Sequence, residues 1–170
     1  MINSAIALLM ERGAAGVSVD AVLAHSGAPR GSVYHHFPGG RDELLLTAAR
    51  TAADNVGRRL AAAPDGRAVL AGLVGFWRKV LTTSDFKATC PVIAMAVNPR
   101  DDLPAAHALV QETFANWRTQ IATALGTPDD DDLATFILST LEGAIVLCRA
   151  QRDTRPLDIA EARLSALLPR

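Results

Sequence analysis

The chain has 170 residues, with 17 Lys or Arg and 18 Asp or Glu, for a formal net charge of −1. A chain of this length forms one or two compact units and buries about two thirds of its unfolded surface without disulfides or metals. The apolar fraction of 49% and the charged fraction of 21% exclude intrinsic disorder. The near-neutral charge argues against a general polyanion binder, although it allows a small local nucleic-acid site.

The sequence also bears on where the protein works. No apolar run approaches the roughly 18 residues of a membrane span, so we expect no transmembrane segment and no membrane partner. The start, residues 1–4, lacks the basic and apolar regions of a secretory signal. The two cysteines, Cys90 and Cys148, are too few for a disulfide framework. These features predict a cytoplasmic protein.

Helical patterns fill the N-terminal part of the sequence, and no sustained alternation indicates a strand. Residues 1–12 form the first predicted helix. A second opens at Ser18, a good N-cap, and a short third begins near Pro29, a residue favoured at the first helical position. Residues 41–60 keep helical spacing over a longer stretch.

The best boundary in the chain is the Ala-, Pro- and Gly-containing stretch 61–66. Apolar periodicity continues beyond it and predicts more helices. Their ranges are 67–83, 90–97, 103–125, 129–152 and 157–168. The segment 129–152 is apolar nearly all round, which indicates a helix that needs cover on two sides.

Residues 18–37 have the layout of a helix-turn-helix, because two short helices meet at a Gly-containing turn and the second bears polar side chains. Arg30 can donate to a phosphate or a guanine, Gly31 allows close backbone approach, and the hydroxyl of Tyr34 can reach a phosphate. The candidate DNA contacts are Ser18, Arg30, Gly31, Ser32, Tyr34, His35, His36 and Arg41.

Two stretches, GAAGVSVD at 13–20 and GAPRGSVYHHFP at 27–38, closely resemble the DNA-binding region of the TetR/AcrR family of one-component regulators. The run HHFPGGRDEL at 35–44 resembles that of its LmrA/YxaF-type subgroup. Cys-Pro-Val at 90–92 and Glu-Gly-Ala at 142–144 are similar to the C-terminal half of that subgroup.

The resemblance implies an all-α fold with a helix-turn-helix DNA-binding domain in 1–40, a connecting helix in 41–63, and a helical ligand-binding and dimerisation domain in 64–170. It implies a ligand-responsive regulator, typically a repressor. Such a protein binds a pseudo-palindromic operator in double-stranded DNA as a homodimer and is released by a small apolar effector.

The resemblance also implies two further sets of residues. Dimerisation through the last two helices would use Leu133, Ile137, Leu141, Ala144, Leu164 and Leu167. A ligand pocket would use Phe76, Trp77, Cys90, Met95, Phe114, Trp117 and Glu142. The aromatic members of the pocket set are explained about equally well as plain core.

The two alternatives to a regulator are an enzyme and a helical small-molecule-binding dimer. Enzyme motifs are missing, since there is no Gly-rich phosphate loop, metal-ligand spacing or nucleophile elbow, and we expect no catalysis, cofactor or metal. The acidic run 129–132 is explained by the helix dipole. The more serious rival is a helical small-molecule-binding dimer that has lost DNA binding, because Met1 stands where the family's first helix is already under way. Arg30, where the family often has Lys, keeps the charge.

Overall fold

The computed structural model describes residues 1–97 and 103–168, and every regular element in those two ranges is helical. The predicted all-α class is therefore confirmed. A 3₁₀ turn, Ala14–Gly16, separates the first two helices. The helices are α1 (Ile2–Arg12), α2 (Val19–Ser26), α3 (Gly31–His36), α4 (Gly40–Ala62), α5 (Gly66–Thr83), α6 (Pro91–Ala96), α7 (Pro104–Leu125), α8 (Asp132–Gln151) and α9 (Arg155–Ser165).

Three helix starts differ from the predicted ones by two or three residues, and one of them is that of α9, which begins at Arg155 instead of residue 157. Pro29 precedes α3 instead of opening it, because residues 29–32 form a turn in which the Ser32 amide donates to the Pro29 carbonyl at 3.0 Å. The acidic run 129–132 mostly precedes α8, whose first residue is Asp132.

One compact unit contains Met1–Asp54 together with Cys90–Thr113. Its core continues from α1 through α4 into α6, since Ala94 and Met95 are buried in the same cluster as Leu44 and Leu45. This division differs from the predicted limits at residues 40 and 63, because α6 and the first part of α7 bury their apolar sides among the N-terminal helices. The predicted domain limits stay a prediction.

The second compact unit contains Asn55–Thr89 and the described residues of Phe114–Arg170. Here α5, α8 and α9 pack against one another. Arg78 on α5 donates to Asp158 at 2.8 Å and to Glu161 at 3.3 Å, both on α9. The hydrogen bond that Arg78 donates to Asp158 is the main reason why the pKa of Arg78 lies above its ordinary value. These ion pairs fix the register of α5 against α9.

Both cysteines are buried, and they form no disulfide with each other. Burial raises the pKa of Cys148 and so favours its protonated form. Both cysteines behave as small apolar core residues.

Helix α8 corrects the expectation that no segment is long and apolar enough to cross a membrane. It has 20 residues, and an 18-residue window within it has a mean hydropathy of 1.6, which meets that description by length and composition alone. Only 39% of that stretch is buried inside the protein. One side of α8 packs against α5 and α9, and the other side carries exposed apolar side chains.

Candidate nucleic-acid interface

The turn between α2 and α3 is built from local capping interactions. The Ser18 hydroxyl accepts a hydrogen bond from the Ala21 amide at 3.1 Å and so caps α2. Gly27 ends α2 in the left-handed conformation, with φ of 69°, and its amide donates to the Leu23 carbonyl at 2.9 Å. A residue with a Cβ is strained at that φ, so glycine fits this position.

The buried side of α3 fixes which side faces solvent. Val33 is fully buried, and Phe37, four residues later, is nearly so. Their spacing leaves Tyr34, His35 and His36 exposed, with Tyr34 retaining 64% of its surface. The exposed side of α3 therefore carries hydroxyl and imidazole groups that can donate to phosphates or bases.

The structure leaves six of the eight predicted DNA contacts exposed and holds the other two, Ser32 and Arg41, half-buried. Ser18, Arg30 and Gly31 are exposed, in addition to the three exposed side chains of α3. Ser32 is half-buried, and its hydroxyl donates to the Pro29 carbonyl. A Cβ at Gly31 would meet nothing within 4 Å, so the backbone there is open to a close approach.

Arg41 is the second half-buried residue, and the sequence analysis did not predict its contacts. Its Nε donates to the Val17 carbonyl and its Nη2 to the Ala14 carbonyl, both at 2.7 Å. Its Nη1 lies 3.3 Å from Oδ1 of Asp42. The guanidinium thereby ties α4 to the turn that precedes α2. The predicted phosphate contact of Arg41 stays a prediction.

An ion pair joins α2 to the start of α3. Nη2 of Arg30 lies 3.3 Å from Oδ1 of Asp20, and the side chains keep 88% and 80% of their surface exposed. The sequence analysis assigned Arg30 to DNA and did not include Asp20 among the predicted contacts. The two charged side chains therefore lie together on the exposed surface of the helix-turn-helix.

A small cavity lies within the second compact unit. Three predicted pocket residues, Trp77, Trp117 and Glu142, line it. The remaining lining residues are Val56, Leu60, Leu73, Leu138, Leu141 and Ile145. Its volume of about 20 Å³ suffices for one water.

The other four predicted pocket residues do not line this cavity. The ring of Phe76 lies under Arg59, 4.6 Å from its guanidinium carbon, and Phe114 packs edge-on against Trp117 at 5.7 Å. Cys90 and Met95 are buried in the first compact unit.

A groove of about 530 Å³ runs between α8 and α9. Leu147 and Ile159 line it, each with 51% of its surface exposed. Of the residues predicted for a dimer interface, only Leu167 is well exposed, and Leu133 is half-buried. The other four, Ile137, Leu141, Ala144 and Leu164, are buried within the protomer.

Most of the α8 residues that the resemblance implied for a dimer interface lie on the stripe that the structure buries. The exposed apolar residues Phe136, Gly143 and Leu147 repeat at spacings of seven and four, which is also helical spacing. The groove could have been predicted from this second row of apolar residues.

A helix-turn-helix with an exposed polar second helix is the arrangement of a DNA-binding protein. Comparisons with known proteins agree. The profile of bacterial regulatory proteins of the tetR family matches residues 1–48, and that of the LmrA/YxaF-like regulator C-terminal domain matches residues 67–163. The chain belongs to the TetR family, in its LmrA/YxaF-like subgroup. It is a DNA-binding transcriptional regulator and not an enzyme.

Relatives and solved structures cover nearly the whole chain. An uncharacterized HTH-type regulator of Mycobacterium tuberculosis is 40% identical over 99% of this chain and 92% of its own length. The HTH-type regulator YxaF of Bacillus subtilis is 25% identical over 99% of this chain and 93% of its own. The crystal structure of a TetR regulatory protein from Rhodobacter sphaeroides matches with a TM-score of 0.85 at 20% identity, over 99% of this chain and 96% of that one.

The contacts of Arg41 generate the first prediction. Arg41→Ala removes the hydrogen bonds from the guanidinium to the Val17 and Ala14 carbonyls, although the Ala14 carbonyl keeps the Val17 amide as a donor at 3.2 Å. We therefore expect unfolding in urea to show a loss of about 2 kcal/mol. Arg50→Ala, an exposed arginine on the same helix, is the control and should change stability by less than about 0.5 kcal/mol. Unchanged stability of Arg41→Ala, with a lower salt dependence of DNA binding, would instead favour the phosphate contact.

Proposed function

We propose that this regulator is a cytoplasmic, ligand-responsive repressor whose homodimer binds a pseudo-palindromic operator and is released by a small apolar effector. The observation that carries the proposal is the six-residue helix α3, which buries Val33 and Phe37 and leaves its polar side chains exposed. Such a helix can enter the major groove with those side chains leading.

The proposed DNA contacts divide by chemistry. Ser18 at the α2 N-terminus, Tyr34 and the two adjacent histidines on α3 would bond to phosphates, which position the protein on the duplex. Arg30 would read a base edge, and Gly31 would allow α3 to lie close to the bases. Ser32 and Arg41 would complete the proposed set at its edge.

The proposed dimer uses the groove between α8 and α9, occupied by the same two helices of a second copy. This arrangement would cover the exposed side of α8, including Phe136, Leu147 and the open backbone at Gly143, where a Cβ would meet nothing within 4 Å. A four-helix arrangement explains why α8 is apolar on both sides. A two-fold dimer would set its two recognition helices about 34–36 Å apart, so the operator would have two-fold symmetry.

The proposed effector site is the cavity between the two tryptophans. Its lining is mostly aliphatic and aromatic, which suits a small apolar molecule. Val56 and Leu60 of α4 belong to that lining, and α4 continues through to the first compact unit. An effector that enlarges the cavity would displace α4 and so weaken DNA binding. The coupling free energy between an effector site and a DNA site is typically 1–3 kcal/mol.

Selection from a library of random duplexes tests the proposed function directly. We expect a two-fold symmetric consensus whose affinity, measured by fluorescence anisotropy, falls steeply as salt is raised. Tyr34→Phe should weaken operator binding about tenfold without changing the salt slope, because it removes a hydroxyl donor and no charge. Failure to enrich any duplex would indicate the rival reading, a helical ligand-binding dimer without DNA activity.

The proposed dimer predicts the effect of a charge in the groove. Leu147→Glu should convert the dimer to a monomer in sedimentation velocity, because the carboxylate would be buried against the partner. Ala115→Glu, on an exposed position of α7, is the matched control and should leave the sedimentation coefficient unchanged. A dimer that survives Leu147→Glu would place the interface outside this groove.

The cavity can be tested with the protein's own fluorescence, since the only two tryptophans of the sequence line it. The neutral apolar dye N-phenyl-1-naphthylamine should accept energy from these tryptophans and lower operator affinity at saturation about tenfold. Leu138→Phe, which fills space in the lining, should weaken dye binding, whereas Phe76→Leu should not. Equal dye binding by both variants would argue against this cavity as the effector site.

A further inference from the structure

Residues 18–43 contain three carboxylates, and each contacts a different partner in the structure. Asp42 lies beside Arg41 at 3.3 Å, and Glu43 accepts from the Gly39 amide at 2.7 Å, both at the start of α4. Asp20 instead lies in the first turn of α2 and contacts Arg30 across the helix-turn-helix. Asp20 therefore places a negative charge on the surface proposed to meet DNA.

Stability does not explain the pair between Asp20 and Arg30. Both side chains are more than three-quarters exposed, and an exposed ion pair contributes about 0–1 kcal/mol. The helix dipole accounts for a carboxylate at the start of α2, but it does not account for the reach of Arg30 from the start of α3. A carboxylate facing phosphates would also weaken DNA binding unless a cation accompanied it.

The geometry of a guanidinium shows what the pair can do. Arg30 has five N–H donors in one plane, and Asp20 accepts from one of them, on Nη2. Donors remain for the O6 and N7 acceptors of a guanine, which arginine contacts in a bidentate manner. A guanidinium held at one nitrogen loses less rotamer freedom when it forms that contact.

We propose that Asp20 is a positioning residue that holds Arg30 for a bidentate contact to a guanine in the operator's major groove. The inference rests on the proposed function and deepens it. Without Asp20, the flexible side chain of Arg30 would pair with the nearest phosphate, which carries no sequence information. The carboxylate also repels the phosphates of any duplex on which Arg30 finds no guanine. This repulsion lowers the affinity for other sequences, so Asp20 increases specificity for the operator.

The test uses the operator obtained from the selection experiment and a scrambled duplex of equal length and composition. Each guanine of one half-site is replaced in turn by 7-deazaguanine, which removes only the N7 acceptor. We expect one position at which this replacement weakens wild-type binding about tenfold. The same replacement should weaken binding of Asp20→Asn and of Arg30→Ala by no more than about twofold.

Affinity for the scrambled duplex provides a second readout that a merely structural role would not change. Asp20→Asn should bind the scrambled duplex several-fold more tightly than wild type, because a repulsive charge is gone. Asp54→Asn removes an exposed carboxylate from α4 and is the control for net charge. The ratio of operator to scrambled affinity should fall about tenfold in Asp20→Asn, and the double variant with Arg30→Ala should fall no further.

The two possible failures are distinguishable. If wild-type protein binds the operator but Asp20→Asn keeps the wild-type ratio and the wild-type response to 7-deazaguanine, the positioning role is overturned and the proposed function stands. Additive losses in the double variant would likewise overturn it. Absence of operator binding by wild-type protein would overturn both.

Discussion

Helix α3 has six residues, and a helix that short is not stable on its own in water. Its orientation therefore depends on the packing of Val33 and Phe37 into the core of the first compact unit. Arg41 extends this support to the turn before α2 through the Ala14 and Val17 carbonyls. The surface proposed to meet DNA is thus held by side chains that face away from it.

The core that supports α3 is assembled from distant parts of the chain. Ala94 and Met95 of α6 and Leu109 of α7 share it with the N-terminal helices, although the family profile for the DNA-binding region ends at residue 48. The DNA-binding unit is consequently not independent of the sequence beyond α4. Substitutions in α6 should be judged first as changes to this core and only then as changes to a ligand site.

Helical periodicity predicted the fold well, because α1, α4, α5 and α7 each keep one regular apolar stripe. It could not predict which stripe of α8 faces the protomer, since Ile137 and Leu147 both lie on helically spaced apolar rows. Nor could it find the partners of Arg41, which are carbonyls 24 and 27 residues away in the chain. Capping and turn chemistry are local and can be read from sequence, whereas the choice between equivalent faces depends on tertiary packing.

The proposed switch follows from the size of the cavity. A volume near 20 Å³ holds one water, whereas drug-sized ligands occupy pockets of about 300–1,000 Å³. An effector can therefore bind only if the lining moves, and the cost of that movement reduces its affinity for the conformation described above. Since Val56 and Leu60 belong to a helix that begins at Gly40, beside the proposed DNA-binding surface, a change in the lining could reach that surface along continuous backbone. Reciprocity then requires that operator DNA, by favouring the small cavity, weakens effector binding by the factor by which the effector weakens DNA binding.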